Sequence, residues 1–141
     1  MEPAVVRVER AMVAIRRSQS RRALSRHMAV DPAVFAVLDA VEERGPCSVT
    51  DLAAVLGVDQ PRASRLTAKA VDDGFLVRKS DQTDGRRSLV TLTTSGRQQV
   101  EAAHSARREV FARAMAAWSD DERATFARLL TEFVAGVDSV T

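Results

Sequence analysis

Between Ser48 and Gly74 the chain reads as two short amphipathic helices joined by a turn that suits a glycine, and few folds accommodate that pairing. The first helix lies within Ser48-Val49-Thr50-Asp51-Leu52-Ala53-Ala54-Val55-Leu56; Thr50 is expected to cap it, and Leu52, Val55 and Leu56 to face inward. Gly57 can adopt the left-handed conformation that reverses the chain after a helix. The second helix is expected from Gln60 to Asp73, capped by Asp59, with Ala63, Leu66 and Ala70 as its inner stripe. A helix, a tight glycine turn and a second helix make a helix-turn-helix.

The outer face of the second helix carries Gln60, Arg62, Ser64, Arg65 and Lys69, and its acidic residues wait until Asp72 and Asp73 at the far end. An ordinary surface helix more often mixes signs, because Glu and Lys four residues apart stabilise it. Cationic, amide and hydroxyl side chains gathered at the N-terminal half are the groups that reach base edges and phosphates in a major groove. The alternative is a merely solvated face, and the sign segregation favours recognition.

After Gly74, Phe75 to Lys79 and Ser88 to Leu92 read as two strands flanking a polar loop, Ser80 to Arg87. Asp and Gly turn chemistry sits at the loop tip, followed by Arg86 and Arg87. So small a hairpin is marginal alone and must lean on the helices before it. Arginines at a projecting tip suit the negative potential of a narrow minor groove, and otherwise are a solvated tip.

Helices flank this unit. Residues 3 to 29 read as one long helix with a Val5, Val8, Met12, Ile15 stripe and a cluster of Arg16, Arg17, Arg21 and Arg22, which suits either a solvated face or a DNA or partner contact. Asp31-Pro32 is a start signal and Gly45-Pro46 a stop for a helix burying Val34, Val37, Leu38 and Val41. Thr93-Thr94-Ser95-Gly96 opens a helix to about Ala117. Ser119 with Glu122 three residues later is a capping box, starting a last helix with a Phe126, Leu129, Leu130, Phe133, Val134, Val137 stripe. Apolar faces outside the winged unit need a partner, so dimerisation is expected. The fold class is therefore mainly α with a small β-hairpin wing (α+β): a winged helix-turn-helix with N- and C-terminal dimerisation helices.

Charge supports a polyanion partner. The chain nets only +2, yet residues 1–29 net +5, 30–59 net −5, 60–97 net +4 and 98–141 net −2. Clustered cations bind phosphates by releasing condensed counterions. No segment approaches the roughly 20 apolar residues of a bilayer span, and the N-terminus lacks the apolar core of a signal peptide, so a cytoplasmic location and no membrane partner are expected. The single cysteine, Cys47, cannot pair internally, and Gly45-Pro46-Cys47-Ser48 offers a thiolate no adjacent cation. With no phosphate loop, nucleophile elbow or metal triad, no enzyme, catalytic residue, cofactor or metal centre is expected. His27 and His104, far apart in sequence, do not by themselves make a metal site. A winged module binding protein or RNA is the rival reading, against which stands the scarcity of aromatics for stacking bases: five Phe, one Trp and no Tyr.

The run Gly74-Phe75-Leu76-Val77-Arg78, then Asp81-Gln82-Thr83-Asp84-Gly85-Arg86-Arg87-Ser88-Leu89-Val90-Thr91-Leu92-Thr93-Thr94-Ser95-Gly96-Arg97, resembles the MarR family of bacterial regulators, above all in Asp84-Gly85-Arg86 and the Leu-Thr and Gly-Arg pairs that follow. The resemblance runs from about residue 5 to residue 137 and implies one MarR-type domain over 1–141, with 1–29 and 98–141 mainly dimerisation helices and 30–97 the winged core. It implies a homodimeric regulator of double-stranded DNA, usually a repressor of a pseudo-palindromic operator released by a small, often phenolic or anionic effector. Carried over by position, the DNA-binding residues are Gln60, Pro61, Arg62, Ser64, Arg65 and Lys69 on the recognition helix, and Asp84, Arg86 and Arg87 in the wing, Asp84 orienting Arg86. His27, Met28 and Phe35, near the junction of the first two helices, are the corresponding effector candidates, though Phe35 equally suits the core. Two departures stand out: the family's peroxide sensors carry their cysteine in the first helix, unlike Cys47, and Ala70 stands where a larger apolar residue is common.

Overall fold

The computed structural model describes residues 1–20 and 30–141. Its elements run α1 (Pro3–Ser20), α2 (Pro32–Arg44), α3 (Val49–Leu56), α4 (Gln60–Asp72), β1 (Leu76–Ser80), β2 (Ser88–Leu92), α5 (Thr94–Ala114) and α6 (Asp120–Val140). Two compact units divide the chain, Met1–Ala106 and Arg107–Thr141, the boundary falling within α5.

In the first unit, α2 is the hub. Asp31 caps it by accepting from the Ala33 N–H at 2.8 Å, Pro32 opens it, and Gly45 ends it at φ 78°. Its Val34, Phe35, Val37, Leu38, Ala40 and Val41 are buried, and α3, α4 and β2 all pack on it. Leu52 of α3, Ala70 of α4, Leu76 of β1, Val90 of β2 and Val100 and Ala103 of α5 complete one apolar core. At about 25 cal/mol per Å² of apolar surface, burying each of these larger side chains contributes on the order of 2 kcal/mol before chain entropy is charged against it.

Three local expectations shift. Val55, expected to face inward on α3, is 43% exposed, and only Leu52 of that helix is fully buried. Ser48, not Thr50, caps α3: its hydroxyl accepts from the Asp51 N–H at 3.1 Å while Asp51 accepts from the Ser48 N–H at 3.0 Å, a reciprocal box that starts the helix earlier. On α4 the buried stripe is Ala63, Thr67 and Ala70, with Leu66 only half-buried. Thr67 can be fully buried because its hydroxyl donates to the Ala63 carbonyl at 2.7 Å. Gly57 is left-handed at φ 67°, Asp59 caps α4 by accepting from the Arg62 N–H at 2.8 Å, and Ala70 is fully buried despite its size.

The strands pair antiparallel from Leu76 opposite Leu92 to Ser80 opposite Ser88. Cys47 adds a short bridge on the other edge of β2, exchanging two backbone hydrogen bonds with Val90 at 2.8 and 3.3 Å. The hairpin thus leans on the segment before α3 as well as on the core. Thr93 locks its exit: the hydroxyl donates to the Gly74 carbonyl at 2.6 Å and accepts from the Gly96 N–H at 3.0 Å, capping α5.

α1 keeps Val5, Val8, Met12 and Ile15 between 39% and 48% exposed. The expected continuation of this helix through residue 29 lies outside the described residues, as do Arg21 and Arg22. In the second unit, α5 ends at Ala114, a turn follows, and Ser119 and Glu122 form the expected capping box on α6. Arg123 ties the turn to α6 through the Met115 and Ala116 carbonyls, and Trp118 packs edge-on against Phe126 at 5.3 Å. α6 buries no residue, and its Phe126, Leu129, Leu130, Val134 and Val137 are all at least 39% exposed. Among the described residues no helix is long and apolar enough to cross a membrane.

Candidate nucleic-acid interface

The helix-turn-helix geometry sets which α4 side chains can meet a ligand. Ala63, Thr67 and Ala70 face the core, so Gln60, Pro61, Arg62, Ser64, Arg65 and Lys69 are left exposed. Lys69 pairs with Asp73 one turn on at 3.4 Å, which draws it toward the acidic end. Gln60 reaches back to the Thr50 hydroxyl at 3.4 Å, a contact that links the starts of the two helices. The N-terminal half of α4 is therefore a polar and cationic face without a competing carboxylate, apart from its capping Asp59.

In the wing, the Asp81 carboxylate accepts from the Thr83 N–H at 2.9 Å and its hydroxyl at 2.8 Å; these bonds, with the Arg87 charge nearby, hold the carboxyl below the usual range. Asp84 accepts from both the Arg86 N–H at 3.1 Å and its Nε at 3.2 Å. The Arg86 side chain remains 94% exposed, so its orientation comes from Asp84 while its charge stays available.

Arg87 turns the other way. Its Nη2 lies 2.9 Å from Asp51 and 3.2 Å from the Ser48 hydroxyl, and its Nη1 lies 3.7 Å from Asp81. Arg87, expected as a phosphate or second groove contact, is a tether between the wing and the capping box of α3. Sequence reading missed this role because 36 residues separate Arg87 from Asp51. Hydrogen bonds from the Ser48 N–H and hydroxyl, with the charges of Arg87 and Arg44, outweigh partial burial and lower the Asp51 carboxyl from its ordinary value of 3.8. A lowered folded-state value stabilises the fold above about pH 3.8 and loses that contribution as pH falls through it. Asp51→Asn should cost about 1 kcal/mol at neutral pH. In urea melts its deficit against the parent should shrink toward zero below the ordinary carboxylate range; a deficit unchanged by acid would mean that the charge is irrelevant.

Between the start of α3 and the wing lies a groove of about 510 Å³ lined by Ser48, Thr50, Asp51, Arg78, Arg86 and Arg87 among others. Of the effector candidates, Phe35 is 6% exposed within the core, as its core reading required, whereas His27 and Met28 lie outside the described residues. Cys47 is 2% exposed, and burial, reinforced by the Asp51 carboxylate and only partly offset by Arg44, raises its thiol. It is held as a small protonated hydrophobe.

Comparison with known proteins places this architecture. The family model described as MarR family matches residues 30–87, which span α2 through the wing tip. An uncharacterized helix-turn-helix transcriptional regulator of Bacillus subtilis, YxaD, is 33% identical over 96 residues, covering 68% of this chain and 67% of that protein. The transcriptional regulator BilQ of Clostridium symbiosum is 32% identical over 84 residues, 60% of this chain and 58% of that protein. A MarR family protein from Bacillus stearothermophilus superposes with a TM-score of 0.84 over 98% of this chain and 99% of its own, at 20% identity. These are the folds and families of regulators, not of enzymes. Shared residues with a helix-turn-helix regulator and a shared winged fold give one conclusion: the chain belongs to the MarR family of transcription regulators.

Proposed function

We propose that the protein is a repressor that binds a pseudo-palindromic operator in double-stranded DNA as a homodimer, within a single domain over 1–141 whose dimer contacts come mainly from residues 1–29 and 98–141. The observation that carries the reading is the exposed N-terminal half of α4, where Gln60, Pro61, Arg62, Ser64 and Arg65 stand together while Ala63 and Thr67 anchor the opposite face. A helix so mounted fits a major groove, and the exposed Arg86 fits the adjacent minor groove. Two-fold pairing is supported by the apolar stripes of α1 and α6, both largely exposed in one chain. Release by a small anionic or phenolic effector belongs to the same reading: an anion drawn to the exposed Arg86 and Arg78 at the rim of the wing groove would compete for cations that otherwise meet phosphate.

Selecting bound genomic fragments and footprinting the best of them tests this. The protected site should be two-fold symmetric, with half-sites about one helical turn apart, and affinity should fall steeply with salt. Sedimentation at micromolar concentration should give twice the 15.4 kDa chain mass. A folded monomer protecting one asymmetric half-site would overturn both the dimer and the palindrome.

A further inference from the structure

The fold brings together three groups that neither recognition helix nor wing uses. Asp39 and Glu42, three residues apart on α2, meet His104 of α5, and one ligand atom from each lies within 4.8 Å of the other two. His104 Nε2 is 2.7 Å from Glu42 Oε1. We propose that Asp39, Glu42 and His104 form a binding site for a divalent first-row transition-metal ion.

Spacing is the first argument. Nitrogen and oxygen donors each about 2.0–2.2 Å from a shared ion sit about 3.0 Å apart in octahedral and about 3.4 Å apart in tetrahedral geometry, so the hydrogen-bonded His104–Glu42 pair need open by only a few tenths of an ångström for an ion to replace the shared proton, and Asp39 offers an oxygen within 4.8 Å of both. Mounting is the second: Leu38, Ala40 and Val41 beside the carboxylates and Ala103 beside the imidazole are buried, which fixes both helices beneath the donors. Chemistry is the third. Two carboxylates match a 2+ charge, and an imidazole donor favours Mn, Fe, Co, Ni or Zn over the all-oxygen shells of Ca and Mg. Three protein ligands leave a position for water, and the half-burial of Asp39 and His104 keeps the site from being a purely solvated cluster. Because α2 also packs on α3 and α4, an ion clamping α2 to α5 would act on the helix that carries the helix-turn-helix.

Chelator-stripped full-length protein is titrated with Mn²⁺, Co²⁺, Ni²⁺ and Zn²⁺ alone by equilibrium dialysis, and the visible spectrum is followed with Co²⁺. The expected result is one ion per chain at about micromolar affinity, with Co²⁺ ligand-field bands, for at least one of these ions. Glu42→Gln and His104→Gln should each bind at least about tenfold more weakly, while Glu43→Gln, exposed beside the site, keeps the parent affinity. Circular dichroism without metal confirms folding, and Glu42→Gln preserves a hydrogen-bond acceptor for His104. No stoichiometric binding below about 1 mM, or parent affinity in both site variants, overturns the proposal. The readout is the ion itself, so failure to find an operator would leave this result standing.

Discussion

Gly96→Ala should unfold at markedly lower denaturant concentration than the parent, although it adds only one methyl group. Alanine ordinarily favours a helix over glycine by about 1 kcal/mol. Here a Cβ would fall on the backbone carbonyl oxygen of Phe75, with the Phe75 carbonyl carbon and Leu92 Cδ2 each 3.1 Å away. That carbonyl cannot swing aside freely, since it accepts from the Thr93 N–H at 3.0 Å, and Thr93 in turn holds Gly74 and Gly96. Overpacking costs about 1–3 kcal/mol and more where the obstacle is backbone, so the net expectation is a loss of about 2–3 kcal/mol. Gly136→Ala on α6 is the control: its Cβ meets nothing within 4 Å, and it should be neutral or gain up to about 1 kcal/mol. Urea melts with matched slopes compare the two. A parent-like midpoint for Gly96→Ala would mean that the hairpin exit is loose enough to absorb a methyl group.

Arg65→Ala and Arg86→Ala should fail differently on DNA, because the two grooves report different things. The major groove distinguishes all four base pairs, whereas the minor groove mainly reports width and A·T content. A bidentate contact from Arg65 would be worth about 1–3 kcal/mol, so its loss should weaken binding and relax preference at one position of each half-site. Arg86→Ala should weaken binding across many sequences, flatten the salt slope and leave central preferences nearly intact. Asp84→Ala should act in the same manner but less, since it removes the group that holds Arg86 by two hydrogen bonds and not the charge. Affinities on a mutated-operator series at several salt concentrations separate these outcomes. If Arg86→Ala binds every operator as the parent does, the wing does not touch DNA.

Much of the architecture was legible because its signals act within a few residues. Asp31, Asp59 and Ser119 cap helices through hydrogen bonds to N–H groups two or three positions on, and Gly57 takes the left-handed conformation with no Cβ to oppose it. Helical spacing marked the α4 face that stays exposed, since the residues opposite it are small or apolar. Local signals also misled where two neighbours competed: Ser48 and Thr50 are both good caps, and only Ser48 has the reciprocal Asp51.

The charge pattern and the helices, turn and strand candidates of the helix-turn-helix and hairpin were thus legible in contiguous residues, whereas the hairpin, marginal alone, is held by the core and the Cys47 bridge. Tertiary structure decided what distant segments do to one another. It buried Thr67 by supplying it a carbonyl, and made Cys47 a bridge partner of β2. It turned Arg87 onto the capping box of α3 and set His104 against Glu42, 62 residues away. A single chain's periodicity tells which face of an element is apolar but not which other element covers it. These pairings depend on how the packed elements approach, and that is settled by the shape of the whole core.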